Sequence, residues 1–544
     1  MNIKNETPEE TRTRHTCFLE HFGLASLGVL GKGSFGIVYE VRDGEGQTFA
    51  AKVIDEDPQM LTLGIPEAAL REASLYHKMS LHPNILRLHR VLYDPDLEVT
   101  CAVLLLEIAP LGSLDKVINS FWEPQEPPCD PERIVQQLRI ARELATGLAH
   151  AHANGILFID LKPANVLVFA DYHIKLADLG GADRLEAKQY TGKYALSTLS
   201  WRSPEEVCDR EYIGKLETRR DSWSLGIVYL QLFFGVNSAI YFESHLFPTW
   251  VKMIGPPPAD SLDCLQKKYL EWKTNKSKST EEDDDDDDEE HDQGVKQKDK
   301  DTTTISPARV CDAAMGEREP HSILNFLDSD SQVSFREVYY GPELFASLIQ
   351  LIDSLLQWSP HLRCTAAAVL SHPVFTSNWS KSSERLEDEK KSVSAVSTLE
   401  VPTTAPIYIT SSNTDSPPSS PSVQEINKNS LLRDERWMER MQRCYPISED
   451  TQRILQLADK VLDRYRTVTD VDKDEKENEE FASVLIAIKL LNYVAAFYIK
   501  SVLPMNTEQL QTRLTEWQIV RVLDWNLDGS TVSIGSKKRK RTGR

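Results

Sequence analysis

Apolar and polar positions change period along this chain, and the changes mark its organisation. Around Ile37-Val38-Tyr39-Glu40-Val41 the residues are β-branched or aromatic in a short run, which predicts a strand. Phe49-Ala50-Ala51-Lys52 and Ile174-Lys175-Leu176 read the same way. Residues 344–358 instead carry apolar side chains at helical spacing. Three further stretches, 451–465, 481–498 and 508–527, predict apolar-faced helices, and by composition alone they form a small helical bundle. Between these regions the pattern is lost twice. Residues 276–301 are Lys, Ser, Thr, Asp and Glu with almost no apolar content, predicting disorder that extends to about residue 320. Residues 377–429 are rich in Ser, Thr and Pro and read as a linker. The expected organisation is an N-terminal extension (1–21), a mixed domain (22–376) carrying the insert at about 276–320, the linker (377–429), a helical domain (430–530) and a basic tail (531–544). No fixed-period repeat is visible.

Composition narrows this picture modestly. At ~150 residues per domain, 544 residues predict two to four domains. A 40% apolar content with 17 Phe, 17 Tyr and 10 Trp fills real cores and excludes a wholly disordered chain. The net charge of −21 is about half accounted for by residues 281–292, where 11 of 12 are acidic. No domain-wide field toward nucleic acid or membrane follows from it. Eight scattered cysteines without a Cys-x-x-Cys pair read as reduced thiols of an intracellular protein. The polar first 14 residues do not form a secretory leader. The longest apolar stretch, 484–503, holds Lys489, Asn492 and Lys500. A mid-bilayer lysine costs ~2.5–3.5 kcal/mol, so a buried soluble helix is expected there.

The chemistry begins at Gly31-Lys32-Gly33-Ser34-Phe35-Gly36. Small residues here let a hairpin press its backbone amides onto phosphate oxygens. Alone the pattern is weak, because it also fits a dinucleotide site or an ordinary glycine turn. A dinucleotide fold needs a helix starting at the glycines, whereas a strand-like run follows them. The Gly-Lys-Ser/Thr of a Walker loop is absent. Sixteen residues beyond Gly36 stands Lys52, which by itself would be a strand-end lysine in solvent. Asp160-Leu161-Lys162-Pro163-Ala164-Asn165 then lies between apolar runs, and Asp178-Leu179-Gly180 follows 18 residues after Asp160. A lysine for phosphates, a carboxylate for an acceptor hydroxyl and two oxygen ligands for Mg²⁺ are the parts of phosphoryl transfer. Their order and spacing are specific where each piece alone is not.

In these motifs the sequence resembles the eukaryotic protein kinases over residues 22–376. Ser203-Pro204-Glu205 stands where the family has Ala-Pro-Glu, and Asp221-Ser222-Trp223-Ser224-Leu225-Gly226 matches Asp-x-Trp-Ser-x-Gly. Arg363 falls where the family places the arginine that pairs with the glutamate, here Glu205. Pro66-Glu67-Ala68-Ala69-Leu70-Arg71-Glu72 resembles the Pro-Ser-Thr-Ala-Ile-Arg-Glu helix of cyclin-dependent kinases. Asp160-Leu161-Lys162-Pro163 is similar to a serine/threonine kinase loop.

The resemblance implies an α+β bilobal kinase fold, with ATP and Mg²⁺ as cofactors and proteins as substrates. It implies that Gly31, Gly33 and Gly36 cover the triphosphate, and that Leu30, Val38, Ala50 and Leu167 sandwich the adenine. Backbone following Leu106-Glu107 would meet the adenine edge, and Lys52 paired with Glu72 would hold the α/β-phosphates. Asp160 would accept the substrate hydroxyl's proton, Lys162 would steady the γ-phosphate, and Asn165 with Asp178 would bind Mg²⁺. Two departures stand out. Phe158-Ile159 replaces the usual His-Arg before the aspartate, and isoleucine cannot grip an activation-segment phosphate. Counted from Asp178, the usual activating threonine falls on Lys193, leaving Thr191 as the nearby hydroxyl. Both halves of that phosphate switch are missing together.

The C-terminal helical block resembles a cyclin box. Leu462-Asp463-Arg464-Tyr465 is similar to that family's second helix, and Lys489 and Glu516 fall where cyclins present a lysine and a glutamate to their kinase. This implies an all-α cyclin-like domain that acts on its own kinase domain in cis or in trans, and a role in the cell cycle. A flexible 50-residue linker would span on the order of 35–40 Å, enough to reach across a kinase domain. The competing expectation is a catalytically silent scaffold whose helical domain binds a separate kinase. Lys537-Lys538-Arg539-Lys540-Arg541 fits nuclear import or a nucleic-acid patch, with a cytoplasmic location otherwise. Ser306, Ser416 and Ser420 each precede proline and are candidate phosphorylation sites.

Overall fold

The computed structural model describes residues 6–33, 36–55, 65–79, 82–94, 97, 101–123, 130–185, 198–208, 217–235, 243–259, 263–282, 323, 327, 333–377, 431, 448–468, 476–491, 515–516, 518–520 and 523. It opens with helix α1 (Pro8–His21), started by a capping box. The Thr7 hydroxyl accepts from the Glu10 amide at 3.3 Å, and the Glu10 carboxylate accepts from the Thr7 amide at 2.7 Å. Five antiparallel strands follow: β1 (Ala25–Gly33), β2 (Gly36–Arg42), β3 (Thr48–Asp55), β4 (Leu88–Leu92) and β5 (Cys101–Leu106), in the order β1-β2-β3-β5-β4. Helix α2 (Glu67–Lys78) connects β3 to β4.

Period-two alternation assigns the faces of this sheet. On β3, Phe49, Ala51 and Val53 pack with Phe18 and Leu19 of α1. Ala50 and Ile54 point to the opposite face and pack with Ala69, Leu70 and Ala73 of α2. Lys52 shares their parity and is therefore directed at α2. The segment expected as an N-terminal extension thus belongs to the core of the first lobe. Its buried His15 bridges Tyr39 Oη at 3.0 Å and Asp55 Oδ2 at 2.9 Å. The sequence signal was the Thr7-Pro8-Glu9-Glu10 start, which composition alone obscures.

The second lobe is helical. It contains α3 (Leu114–Phe121), α4 (Pro131–Ala153), α5 (Pro204–Cys208), α6 (Arg219–Phe234), α7 (Glu243–Ile254), α8 (Asp263–Glu282), α9 (Val333–Tyr340) and α10 (Pro342–Leu355). Short strands β6 (Ile156–Leu157), β7 (Val166–Val168), β8 (Ile174–Leu176) and β9 (Asp183–Arg184) line its top, paired β6-β9 and β7-β8. Helix α6 is buried from Arg220 to Phe234 and forms the axis of this lobe. Helix α8 corrects one boundary, because it runs to Glu282, into the polar stretch assigned to disorder. Extending an existing helix needs no new nucleus, so a polar run can continue it.

Beyond residue 377 the described chain contains α11 (Ser448–Val468) and α12 (Lys476–Leu491), packed on each other. Leu455, Ala458 and Leu462 are buried on α11, and Ala482, Ile486 and Leu490 on α12. Ile519, Val520 and Leu523 join the same apolar cluster. The expected linker, the basic tail and the candidate phosphosites lie outside the described residues, as do Lys193 and Thr191. Among the described residues no helix is long and apolar enough to cross a membrane.

Candidate active site

The cleft between the lobes is roofed by the β1–β2 hairpin, whose tip, Ser34 and Phe35, lies outside the described residues. Its three glycines differ in what they are for. Gly36 has φ +149°, and a Cβ there would meet the Val53 carbonyl oxygen at 2.0 Å. Only glycine allows β2 to approach β3 so closely. A Cβ on Gly31 would meet nothing within 4 Å, and one on Gly33 would reach only the Gly36 carbonyl oxygen at 3.9 Å. These two glycines leave open space along the roof. Leu30 is exposed above it, while Val38, Ala50 and Leu167 belong to the apolar wall of the cleft. The Glu107 side chain is committed elsewhere, with Lys175 Nζ donating to it at 2.6 Å and the Arg87 amide at 2.6 Å. Contact between this residue and an adenine would therefore run through its backbone.

Lys52 is buried, and its ammonium donates to Glu72 Oε2 at 2.7 Å and Asp178 Oδ1 at 2.6 Å. Burial opposes the lysine's charge, but Glu72 and Asp178 together outweigh it and hold its pKa above the ordinary range. The two carboxylates compete for one ammonium. Burial raises the Glu72 pKa against the pull of Lys52; at Asp178, burial also opposes charge, but Lys52 lowers the pKa overall.

The loop bearing Asp160 is fixed from below. Asp221, fully buried on α6, accepts the Phe158 and Ile159 amides at 2.8 Å each. The Asp160 amide donates to the Phe158 carbonyl at 2.8 Å, closing a tight turn about Ile159, whose φ is +68°. A β-branched residue in that conformation costs on the order of 1–3 kcal/mol. The Asp221 bonds and the burial of Ile159 with Leu157 and Leu185 offset this cost.

Asp160 Oδ1 accepts from the Thr198 amide and hydroxyl, both at 2.7 Å. Lys162 Nζ reaches Asp160 Oδ2 at 2.7 Å and Thr198 Oγ1 at 2.6 Å. Thr198 was missed in the sequence, where its signal was only a hydroxyl seven residues before Glu205. The Asn165 side-chain amide donates to the Asp160 carbonyl at 2.8 Å, which leaves its own carbonyl oxygen for a cation. The Ala177 amide donates to the Asn165 backbone carbonyl at 2.9 Å, setting Asn165 beside Asp178. Two hard oxygen donors at the mouth of a cleft suit Mg²⁺, which keeps several waters and takes one or two protein ligands.

Behind this loop, Glu205 and Arg363 form a fully buried bidentate pair at 2.5 and 2.6 Å. Arg71 of α2 faces a carboxylate that sequence reading passed over. Its Nη2 lies 3.6 Å from Asp183 Oδ2, with both side chains buried. The C-terminal block meets the same helix at its start. Lys489 Nζ donates to the Ile65 carbonyl at 2.8 Å and to Glu516 Oε1 at 2.6 Å. Glu516 Oε2 accepts from the Ile65 amide at 3.0 Å. Ile65 precedes Pro66, the N-cap of α2, which has no side-chain capping bond of its own. The described residues of the C-terminal block therefore hold the residue from which α2 begins.

A bilobed cleft with a glycine-rich roof, a buried lysine–glutamate pair and an aspartate–lysine–asparagine loop defines a phosphotransferase. Residues 24–375 match the protein kinase domain family, so the chain belongs to the protein kinase family. It is 31% identical over 250 residues to cyclin-dependent kinase 4 of Mus musculus, covering 44% of this chain and 75% of that protein. It is 32% identical over 217 residues to CBL-interacting protein kinase 4 of Oryza sativa subsp. japonica, covering 39% and 45%. Against serine/threonine-protein kinase SSN3 of Chaetomium globosum it is 30% identical over 216 residues, covering 38% and 40%. The chain thus spans less than half the length of the rice and fungal relatives. These relatives place it among the serine/threonine protein kinases. A chain in a solved structure of the CAK complex of Chaetomium thermophilum bound to ATP-γ-S is similar at 21% identity and a TM-score of 0.45, covering 68% of this chain and 95% of that one.

Proposed function

We propose that this chain transfers the γ-phosphoryl group of ATP to serine and threonine hydroxyls of proteins, and that its C-terminal helices act as a cyclin-like activator of the same chain's kinase domain. One observation carries the reading. Glu72 is already in contact with Lys52, while Lys489 and Glu516 hold the start of the helix that carries Glu72. Lys52 aligns the α/β-phosphates, and the roof glycines let backbone amides approach them. Asp160, held by Thr198 and Asn165, orients the acceptor hydroxyl and takes its proton. Lys162 balances charge on the transferred group. Asn165 and Asp178 would hold Mg²⁺, which would supply neutralisation of phosphate charge. The silent-scaffold alternative rests on Phe158-Ile159 in place of His-Arg, and the presence of Lys52, Asp160, Asn165 and Asp178 favours catalysis over it. The basic tail at 537–541 supports nuclear import. The test of the activity is transfer of labelled phosphate from ATP to a generic basic protein by the purified full chain, with no transfer overturning it.

Activation in this reading needs no activation-segment phosphate. Asp183 supplies Arg71 with a carboxylate partner built into the chain, and the cluster Leu157, Ile159 and Leu185 replaces a second phosphate-gripping arginine by apolar contact. Burial raises the Asp183 pKa, while Arg71 favours the ionised form. Phosphatase treatment is therefore expected to leave activity intact, and Thr191→Ala to cost less than about twofold. Asp183→Asn leaves Arg71 buried without its carboxylate, a change that costs ~3–5 kcal/mol in buried pairs. A loss of turnover of about tenfold or more is expected, equivalent to ~1.4 kcal/mol or more of barrier. Both variants are checked by turnover at matched thermal midpoints. A large loss in Thr191→Ala with Asp183→Asn unaffected would reverse the assignment.

A further inference from the structure

Three successive backbone amides lead into Asp178, and different parts of the molecule hold them. The Leu176 amide donates to the Asn84 backbone carbonyl and the Ala177 amide to the Asn165 backbone carbonyl, each at 2.9 Å. The Asp178 amide donates instead to a side chain, the Tyr76 hydroxyl, at 3.1 Å. The first two bonds join the approach to β4 and the catalytic loop. The third crosses to α2.

Tyr76 is buried and lies one helical turn beyond Glu72. Residues four apart share a helix face, so one face of α2 presents both the carboxylate that meets Lys52 and the hydroxyl that meets Asp178. Asp178 is therefore gripped at two points. Its carboxylate accepts from Lys52 Nζ, itself bound to Glu72, and its amide is fixed by Tyr76. Both grips trace back to α2. The backbone between them needs holding, because Asp178 has φ +57° and ψ 73°. A residue with a side chain occupies that left-handed region when its surroundings impose it.

The bland account of Tyr76 is packing. Its ring belongs to the apolar cluster that also contains Ala73, Leu176 and Leu179, and a phenylalanine or leucine would serve that purpose. A buried phenol adds a polar group that packing does not need and that must find a partner. Here the partner is the amide of a residue placed to bind the metal. The hydroxyl is better explained by Asp178 than by the core.

We infer that Tyr76 is a positioning residue, whose hydroxyl fixes the Asp178 backbone so that the carboxylate is set for Mg²⁺ only while α2 is seated. The inference rests on the kinase reading above. It adds the route by which the seating of α2, whose start is held through Ile65, reaches a metal ligand. With α2 displaced, the Leu176 and Ala177 bonds remain, but the Asp178 amide loses its acceptor.

The experiment uses the full chain and compares wild type with Tyr76→Phe, which removes one oxygen and keeps the ring. A fluorescent ATP analogue is titrated into each protein in excess Mg²⁺ and in EDTA, beside the Mg²⁺ dependence of phosphate transfer to a generic basic protein. In EDTA, Tyr76→Phe should bind the analogue within about twofold of wild type. It should lose about fivefold or more of the affinity gained from Mg²⁺, and need about fivefold or more Mg²⁺ for half-maximal turnover. The gain is a ratio within one protein, so a less stable variant does not mimic the result, and Tyr76→Leu should show the same loss. In a Lys489→Glu background, where α2 is unseated, adding Tyr76→Phe should change the ratio by less than about twofold. A wild-type Mg²⁺ gain in Tyr76→Phe, an equal loss with and without Mg²⁺, or a loss of full size in the Lys489→Glu background overturns the inference. Absence of both nucleotide binding and phosphate transfer in wild type overturns the kinase reading instead.

Discussion

Asp160→Asn is expected to lower phosphoryl-transfer turnover by about 10³-fold or more while nucleotide affinity changes by less than about twofold. Asparagine is nearly isosteric, and its Oδ1 can still accept the Thr198 amide that meets the aspartate at 2.7 Å. The loop is held chiefly by Asp221 on the Phe158 and Ile159 amides, and the substitution does not touch those bonds. The change therefore removes a proton acceptor and one negative charge, leaving the scaffold in place. General-base catalysis is worth ~10²–10⁴-fold, and the lost charge also releases Lys162 from its 2.7 Å contact. Lys52→Met should abolish activity by a different route. It leaves Glu72 and Asp178 facing each other in a buried site with no cation between them. Labelled-phosphate transfer at saturating ATP, beside nucleotide binding measured by fluorescence, separates the two variants. Equal turnover in wild type and both variants would remove these residues from the reaction.

The site was legible where one stretch of chain carries the chemistry. The glycine run, Lys52, the Asp160-to-Asn165 loop and Asp178 each lie at a spacing that phosphoryl transfer requires, and strand alternation alone directs Lys52 toward α2. What stayed hidden depends on distant pairing. Thr198 becomes part of the Asp160 cluster only because the chain folds back across 38 residues, and a lone threonine has no periodicity to betray it. Asp183 is one more acid in the sequence until β9 pairs with β6 and brings it against Arg71. The α1 helix was obscured by averaging, since its apolar positions Phe18 and Leu19 come late in a charged segment. The α8 extension to Glu282 shows the reverse error: low apolar content argues against a core but not against a helix that has already begun. Lys489 and Glu516 were expected to matter only on an assumed resemblance; no pattern within this chain singles out two charges on apolar helices as partners of Ile65.

Those two charges make the sharpest prediction about activation. Lys489→Glu or Glu516→Lys in the full chain should each lower activity by about 30-fold or more. Each leaves a like-charged pair buried at the start of α2, where removing one partner of a buried pair costs ~3–5 kcal/mol. The double reversal should not restore wild-type activity. It re-forms an ion pair, but the pair's hydrogen bonds to the backbone have fixed direction. Lys489 donates to the Ile65 carbonyl and Glu516 accepts from the Ile65 amide, so exchange sets a carboxylate against the carbonyl and an ammonium against the amide. Full rescue by the double variant would mean that the two charges matter only to each other and that α2 is held by other contacts. Truncation after Thr376 extends the test. The shortened kinase should be nearly inactive, and residues 430–544 added in trans should restore activity, less well when carrying either reversal. Full activity of the truncated kinase would leave the helical block as a docking or targeting module. Specific activity of the intact chain across dilution then distinguishes the arrangements, because a contact within one molecule is independent of concentration and an exchange between two molecules is not.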